Sequence, residues 1–409
     1  MRLLFLTLLD FGSFDERNIY TDLLREFMKN GHDVYCISPA ERRTGIKTHF
    51  EENGHLLKVR IGNTQKTNIV EKGISTLMIE RQFISAIRTY FADTHFDLIL
   101  YSTPPITFAN VVKFLKQRDG AATYLMLKDI FPQNAVDIGL MQTSGIKGFL
   151  YRYFRKKERQ LYALSDRIGC MSQANVDYVL EHNPEIAAEK VEICPNCIEM
   201  RDVSLSQQEK MTMRDQYGLP QRKKLFVYGG NLGKPQDVPF IVECLRKCAE
   251  LDNAFFVIAG SGTERQVLEK YVEKETPQHV KLFAQLPKQE YDNMVACCDV
   301  GLVFLDHRFT IPNFPSRLLS YMQAGLPVLT ATDTASDIGK VAVEGKFGWW
   351  CESNNASAFA GLVSEIMQKD CRAESAQALS YMTEHYNAAI AYDRIAQLTG
   401  SRQRNHDGE

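Results

Sequence analysis

No stretch of the 409 residues reaches the roughly 18 to 20 apolar residues that a membrane span needs, so the body of the protein reads as soluble. Net charge is scarce as well. Lys and Arg number 48 against 50 Asp and Glu, and the resulting −2 argues against a chain whose main task is coating nucleic acid. No Asp-x-Asp occurs, and the nine histidines show no H-E-x-x-H or other close metal spacing, so no tightly bound divalent ion is expected. A complete G-x-G-x-x-G is missing too. Gly260-Ser261-Gly262-Thr263-Glu264 runs into Arg265 where the last glycine belongs, and Asp10-Phe11-Gly12-Ser13 lacks the fingerprint as well. A nicotinamide-dependent Rossmann enzyme is thereby disfavoured, although the backbone from Gly260 to Gly262 still suits a nucleotide. One C-x-x-C, Cys194-Pro195-Asn196-Cys197, is followed by no second pair and no helix start, so redox or zinc chemistry is its minor reading. The ten cysteines sit mostly in apolar runs, which suits a reducing cytosol. Met1 to Leu9 resembles a signal-peptide core, but Asp10 interrupts it and no small-residue cleavage site follows, so it reads as a buried first strand.

Hydrophobic residues, at 44%, are sufficient for packed cores, and the length favours two domains. Continuous apolar runs alternate with helical patterns, the signature of parallel sheets covered on both faces. Strands are predicted at 2–9, 33–38, 97–101, 122–127, 166–171 and 190–194. Between the first two, Ile19, Leu23, Leu24 and Phe27 recur at helical spacing within Asn18 to Asn30 before Gly31 stops the helix. The pattern starts afresh at 224–228 and continues through 254–258, 280–283, 300–304, 327–330 and 347–351, a second doubly wound domain. A hinge is placed near 195–205, ahead of the polar stretch Ser204 to Arg222. Two such halves put a ligand crevice at the carboxyl ends of both sheets, where strand-to-helix turns converge.

Pro315-Ser316-Arg317-Leu318-Leu319-Ser320-Tyr321-Met322-Gln323-Ala324-Gly325-Leu326-Pro327-Val328 reads as a helix start, a short helix, a glycine stop and a buried strand. Pro315 suits the first turn, Ser316 can offer its hydroxyl there, and Arg317 adds charge beside outward N–H groups; the pattern suits a phosphate, or a plain capped helix. Tyr228-Gly229-Gly230-Asn231-Leu232-Gly233-Lys234 follows the first strand of the second half. Its glycines allow close backbone approach and Lys234 adds a movable charge, so it reads as a diphosphate loop or as a glycine turn with an exposed Lys. In the first half, Asp129 follows the strand ending at Leu127, either accepting a hydrogen bond or proton from a substrate hydroxyl or bonding its own turn. Lys147, Arg152, Arg155, Lys156, Lys157 and Arg159 lie among Phe149, Leu150, Tyr151, Tyr153 and Phe154, with Glu158 opposing. This basic aromatic helix suits an anionic membrane surface, against the alternative of a core helix with a solvated basic side.

In order and spacing, these segments resemble the GT-B glycosyltransferases of family 4, in the bacterial branch that builds capsule, exopolysaccharide and O-antigen units. The resemblance is carried by Asn30-Gly31-His32-Asp33-Val34, Lys128-Asp129-Ile130-Phe131-Pro132, Cys194-Pro195-Asn196, Gly230-Asn231-Leu232-Gly233-Lys234, the Pro315 segment, and Thr332-Asp333 to Phe347-Gly348-Trp349-Trp350. It implies an α/β fold of two Rossmann-like doubly wound domains facing a central cleft, with a C-terminal helix packing back toward the N-terminal domain. The expected domains are 1–198 for the acceptor, 199–385 for the nucleotide sugar, and 386–409 for the returning helix and tail. The implied reaction is sugar transfer from a nucleotide-diphosphate donor, usually UDP-linked, with retention and no required metal or other cofactor. Its acceptor would be a polyprenyl-diphosphate-linked saccharide at the cytoplasmic face of the cell membrane, touched by the segment 147–159. Lys234 and Arg317 match the basic pair that grips the donor diphosphate, and Asp129 is placed with them as catalytic. Gly12, Gly230, Asn231, Gly233, Gly260, Gly262, Pro315, Ser316 and Ser320 are expected at the donor. Departures stand out: the family's paired glutamates fall on Pro312 and Ser320, its glycine pair after the first strand is reduced to Gly12, and Lys128 stands where many relatives place a histidine. Nucleotide-sugar 2-epimerisation, or a non-catalytic sugar-nucleotide-binding assembly subunit, are the alternative functions.

Overall fold

The computed structural model describes residues 1–10, 12–64, 67–145 and 148–406. Two compact units emerge, one of Met1–Glu199 with Ala388–Glu409 and one of Met200–Asn387.

The first unit is built on eight strands: β1 (Arg2–Leu6), β2 (Asp33–Glu41), β3 (His49–Glu51), β4 (Leu56–Ile61), β5 (Leu98–Thr103), β6 (Ala122–Leu127), β7 (Arg167–Cys170) and β8 (Val191–Ile193). They lie in the order β3-β4-β2-β1-β5-β6-β7-β8, all pairs parallel except β3 on β4. Leu3 to Leu6 of β1 are wholly buried, as a strand covered on both faces requires. The helix Ile19–Lys29 opens on Asn18, whose side-chain oxygen accepts from the Tyr20 and Thr21 N–H groups at 2.9 and 3.1 Å. That satisfies donors which a helix start otherwise leaves orphaned. The last helix, Ala388–His406, packs on this one: Phe27 meets Tyr392 edge-on at 4.9 Å, and His32 shares a 3.0 Å hydrogen bond with the Tyr392 hydroxyl. The expected return of the C-terminal helix to the N-terminal domain is thus realised.

The second unit has β9 (Lys224–Asn231), β10 (Ala254–Ser261), β11 (Val280–Phe283), β12 (Val300–Phe304), β13 (Val328–Thr332) and β14 (Gly348–Glu352). They form one parallel sheet in the order β11-β10-β9-β12-β13-β14. The chain leaves β9 to one side and returns on the other at β12, so the carboxyl ends of β9 and β12 flank the point where connections diverge. Both units are therefore doubly wound α/β layers, as the sequence predicts.

Three corrections apply. β1 ends at Leu6, because Thr7 and Asp10 turn into the following loop. Two strands escape the sequence reading: β4, where Lys58 and Arg60 interrupt the apolar run, and the three-residue edge strand β3. Ser316 does not cap by its side chain; it is itself in the helical region of backbone space, and the helix runs over Arg317–Gln323.

Candidate functional site

At the carboxyl end of the second sheet, the loops after β9 and β10 are fitted together with almost no spare volume. Gly260 pairs with Gly230 across the strands, and a Cβ on Gly260 would lie 1.9 Å from the Gly230 carbonyl oxygen. A Cβ on Gly262 would lie 2.3 Å from the Leu232 oxygen. The Leu232 N–H donates to the Ser261 carbonyl at 2.8 Å, and the Glu264 N–H donates back to Leu232 at 2.9 Å. Gly260 and Gly262 are thus required for packing in addition to any contact with a ligand. Within the β9 loop, Gln236 Oε1 accepts from Asn231 Nδ2 at 2.9 Å and from the Gly233 N–H at 3.3 Å. The loop is closed on itself, and Lys234 is left exposed at its tip, its ammonium forming no ion pair or hydrogen bond with the described residues.

Beneath this loop lies Arg317. Its guanidinium carbon stands 4.4 Å from the centroid of the Tyr228 ring. A Cβ built on Gly230 would come within 3.6 Å of that carbon, and Gly230 itself holds a φ of 120°, where side chains are rarely tolerated. Nη1 of Arg317 is buried and has no hydrogen-bond partner. The Tyr228 hydroxyl donates to the Asn231 carbonyl at 2.6 Å, and the Tyr321 hydroxyl accepts the Gly229 N–H at 3.1 Å. Burial pushes the phenols of Tyr228 and Tyr321 up, Tyr321 to about 12, so both stay neutral beside the cation. Pro315 is half-buried and Ser316 exposed on the turn that leads into Arg317, and Ser320 is half-buried one turn further on. Gly230, Asn231, Gly233, Gly260, Gly262, Lys234 and Arg317 are thereby gathered at one sheet edge. What the sequence reading missed here is the tyrosine set. Tyr321 lies within the segment read as a short helix, but nothing in the spacing announced the role of Tyr228 or that of Tyr291, whose ring would lie 2.1 Å from a Cβ on Gly229.

Near the same loop, Asp237, Asp306 and His307 bring one ligand atom each within 4.8 Å of one another, the one such trio among the described residues. Asp306 already receives Arg308, whose Nε reaches its two oxygens at 2.9 and 3.1 Å. Burial pushes the Asp306 carboxyl up, yet the Arg308 hydrogen bonds hold it below its ordinary value. That charge is compensated before any metal arrives.

Asp129 and Gly12 belong to the first unit. Both Asp129 carboxylate oxygens accept from Asn134 Nδ2 at 2.7 Å, and burial pushes the carboxyl up to about 6 while Asn134 and the Ile130 N–H pull it back. Such a group exchanges a proton readily near neutrality. Gly12 is exposed and donates its N–H to Glu16 at 2.7 Å. Lys128 turns inward, donating to the Cys194 carbonyl at 3.4 Å, and burial lowers its ammonium pKa. Cys194 and Cys197 are both buried, and burial pushes Cys197 to about 12, which removes the low thiol pKa that redox chemistry needs.

The helix Gly148–Leu164 carries the basic segment; Lys147 lies outside the described residues. Arg155 is bound by Glu158 and Asn183, Lys157 by Glu80, and Arg159 by Glu185. Arg152 and Lys156 remain exposed beside Phe149 and Leu150, which are 70% and 49% exposed. On the neighbouring helix Ile69–Tyr90, joined to it by the Glu80–Lys157 pair, Ile74 and Leu77 are each 60% exposed.

Residues 18–202 match the family described as Glycosyltransferase Family 4, and residues 209–385 match Glycosyl transferases group 1. The chain is 22% identical over 335 residues to the probable glycosyltransferase WbjE of Pseudomonas aeruginosa, covering 81% of each. It is 24% identical over 249 residues, 60% of each chain, to the putative colanic acid biosynthesis glycosyl transferase WcaI of Escherichia coli. Among solved structures, sucrose-phosphate synthase from Thermosynechococcus elongatus superposes with a TM-score of 0.75 at 14% identity, covering 99% of each chain. Alr3699/HepE of Anabaena, solved in complex with UDP, superposes with a TM-score of 0.69 at 14% identity, over 98% of this chain and 100% of that one.

Proposed function

The chain belongs to the family 4, group 1 glycosyltransferases of the GT-B fold, and from that premise we propose that it moves a sugar from a UDP-linked donor to a saccharide on a polyprenyl diphosphate, with retention, in bacterial surface polysaccharide assembly. The observation that carries this reading is the orphaned Nη1 of Arg317, buried under Gly230 in the loop that ends at the unpaired Lys234. A buried donor without an acceptor is costly, and a donor phosphate oxygen beside Gly230 would supply the missing partner. In the reaction the bond from the anomeric carbon to the phosphate oxygen breaks, and the electron pair leaves with the diphosphate. Lys234 and Arg317 stabilise that developing charge without a divalent ion. The acceptor hydroxyl attacks from the face the diphosphate leaves and gives its proton to the departing phosphate, so no protein nucleophile is required. Support for the UDP donor comes from HepE, whose structures hold UDP and UDP-glucose, and for polysaccharide assembly from the name that WcaI carries.

A lipid-linked acceptor calls for a membrane-facing surface. The exposed Phe149, Leu150, Ile74 and Leu77 with Arg152 and Lys156 supply apolar anchors and unpaired cations of the kind that bind anionic headgroups. Among the described residues no helix is long and apolar enough to cross a membrane, so the contact we propose is peripheral, at the cytoplasmic face. The reaction is tested by incubating the purified chain with UDP-sugars and polyprenyl-diphosphate saccharides in the presence of a chelator and following UDP release. Wild type should turn over, and Arg317→Ala should lose at least about 100-fold with its melting temperature kept. Turnover by a folded Arg317→Ala at the wild-type rate would remove Arg317 from the mechanism.

A further inference from the structure

Arginine has a long side chain, and a guanidinium beneath a loop is useful to an anion only if its position is fixed before the anion arrives. Around Arg317 the usual means of fixing a guanidinium, a carboxylate, is absent among the described residues; no ion pair to Arg317 is found there. The Tyr228 ring takes that place, with Tyr321 and Tyr291 packed on the neighbouring Gly229. Tyr228 lies face-on under the guanidinium at 4.4 Å, which uses the negative face of the ring to hold a cation without neutralising it. The same residue fixes the loop above, because its hydroxyl donates to the Asn231 carbonyl at 2.6 Å. Tyr321 accepts the Gly229 N–H at 3.1 Å, and the Tyr291 ring fills the space over Gly229 so tightly that a Cβ there would lie 2.1 Å from it. A carboxylate in this position would have saturated the guanidinium. A ring leaves its N–H groups for a ligand, in keeping with the orphaned Nη1.

We propose that Tyr228 is a positioning residue for the donor site: its ring sets the guanidinium of Arg317, and its hydroxyl sets the Gly230–Asn231 backbone against it. One side chain thereby fixes the distance between the buried cation and the loop that carries Lys234. The inference rests on the reading that Arg317 meets the donor diphosphate, and its test separates the two.

Steady-state UDP release is measured for the full chain with its UDP-sugar donor, for Tyr228→Leu, Tyr228→Phe, Arg317→Ala and the Tyr228→Leu/Arg317→Ala double variant. Tyr228→Leu removes the ring and should lower kcat/KM by about tenfold or more, while in the Arg317→Ala background the same change should add less than about twofold. Tyr228→Phe keeps the ring and loses the hydroxyl, which tethers the Asn231 carbonyl and also interacts with the guanidinium. It should keep kcat and raise the donor KM about threefold. A ring that merely filled the core would give losses that multiply in the double variant, and that result overturns the proposal. So does wild-type kcat/KM in Tyr228→Leu while Arg317→Ala is inactive. If Arg317→Ala itself turns over normally, the reading of the site fails and not merely the positioning role. Where Tyr228→Leu does not fold, Tyr228→Phe decides: a raised donor KM with kcat kept supports the tether, and a wild-type KM refutes it.

Discussion

Replacing Gly260 by alanine adds one methyl group where the backbone of the neighbouring strand already stands. The added carbon would sit 1.9 Å from the Gly230 oxygen, 3.0 Å from its carbon and 3.3 Å from its nitrogen. An ordinary carbon–oxygen contact begins about 1.5 Å farther out than that oxygen, and the clash is with main chain, which has no rotamer to change. Relief therefore means opening the ends of β9 and β10 by about 1.5 Å, roughly a third of the ~4.8 Å strand spacing. The Leu232–Ser261 and Glu264–Leu232 hydrogen bonds lie immediately beyond. Overpacking of this kind costs about 1–3 kcal/mol, and for a unit of this size that lowers the melting temperature by about 3–10 °C. The effect on turnover should be larger, since the displaced segment is the loop over Arg317, and a displacement of about 1 Å can cost about 100-fold. Gly361→Ala, in the same unit, is the control: a Cβ there would meet nothing within 4 Å. Differential scanning calorimetry with a UDP-release assay on both variants checks the reasoning. A Gly260→Ala protein with wild-type melting and wild-type turnover would refute it.

Asp333 is 1% exposed and burial pushes its carboxyl from 3.8 to about 6, against the pull of Ser336. Because the folded pKa is the higher one, the native state binds the proton more tightly; the associated stability is full below 3.8 and is lost as pH rises through about 6. Asp333→Asn should therefore gain stability relative to wild type on going from pH 4 to pH 8, by at most about 3 kcal/mol, read from denaturant midpoints; a pH-independent difference contradicts the assignment. Phe149→Asp should weaken co-sedimentation with phosphatidylglycerol vesicles by about tenfold at low salt while leaving binding to neutral vesicles as weak as before; equal sedimentation of variant and wild type rules out that surface.

The parallel sheets were legible because buried strands announce themselves as near-continuous apolar runs: Ala122–Leu127 and Val300–Phe304 need nothing outside their own segments. β4 was not, since Lys58 and Arg60 break the run and only the pairing with β2 and β3 makes Leu56, Leu57, Val59 and Ile61 a strand. The same division runs through the candidate site. Glycines at strand ends, a short helix before Gly325 and an arginine at its first position are local facts. Where the arginine points is not local, because side-chain direction is decided by whatever fills the space beside it. At Arg317 that space is filled by Tyr228 from the end of another strand. The sequence pattern suggested a helix N-terminus presenting charge outward. In the folded chain the helix is seven residues long, Ser316 caps nothing by its side chain, and the guanidinium folds under Gly230. Under the proposed function, a donor phosphate would therefore meet this charge beside Gly230 and not on the helix axis. Within Gly229 to Gly233 the glycines divide the work: a Cβ on Gly229 would lie 2.1 Å from the Tyr291 ring and one on Gly233 3.0 Å from Asn231 Nδ2, so both serve packing, and only the Cβ omitted at Gly230 leaves the guanidinium uncovered, at 3.6 Å.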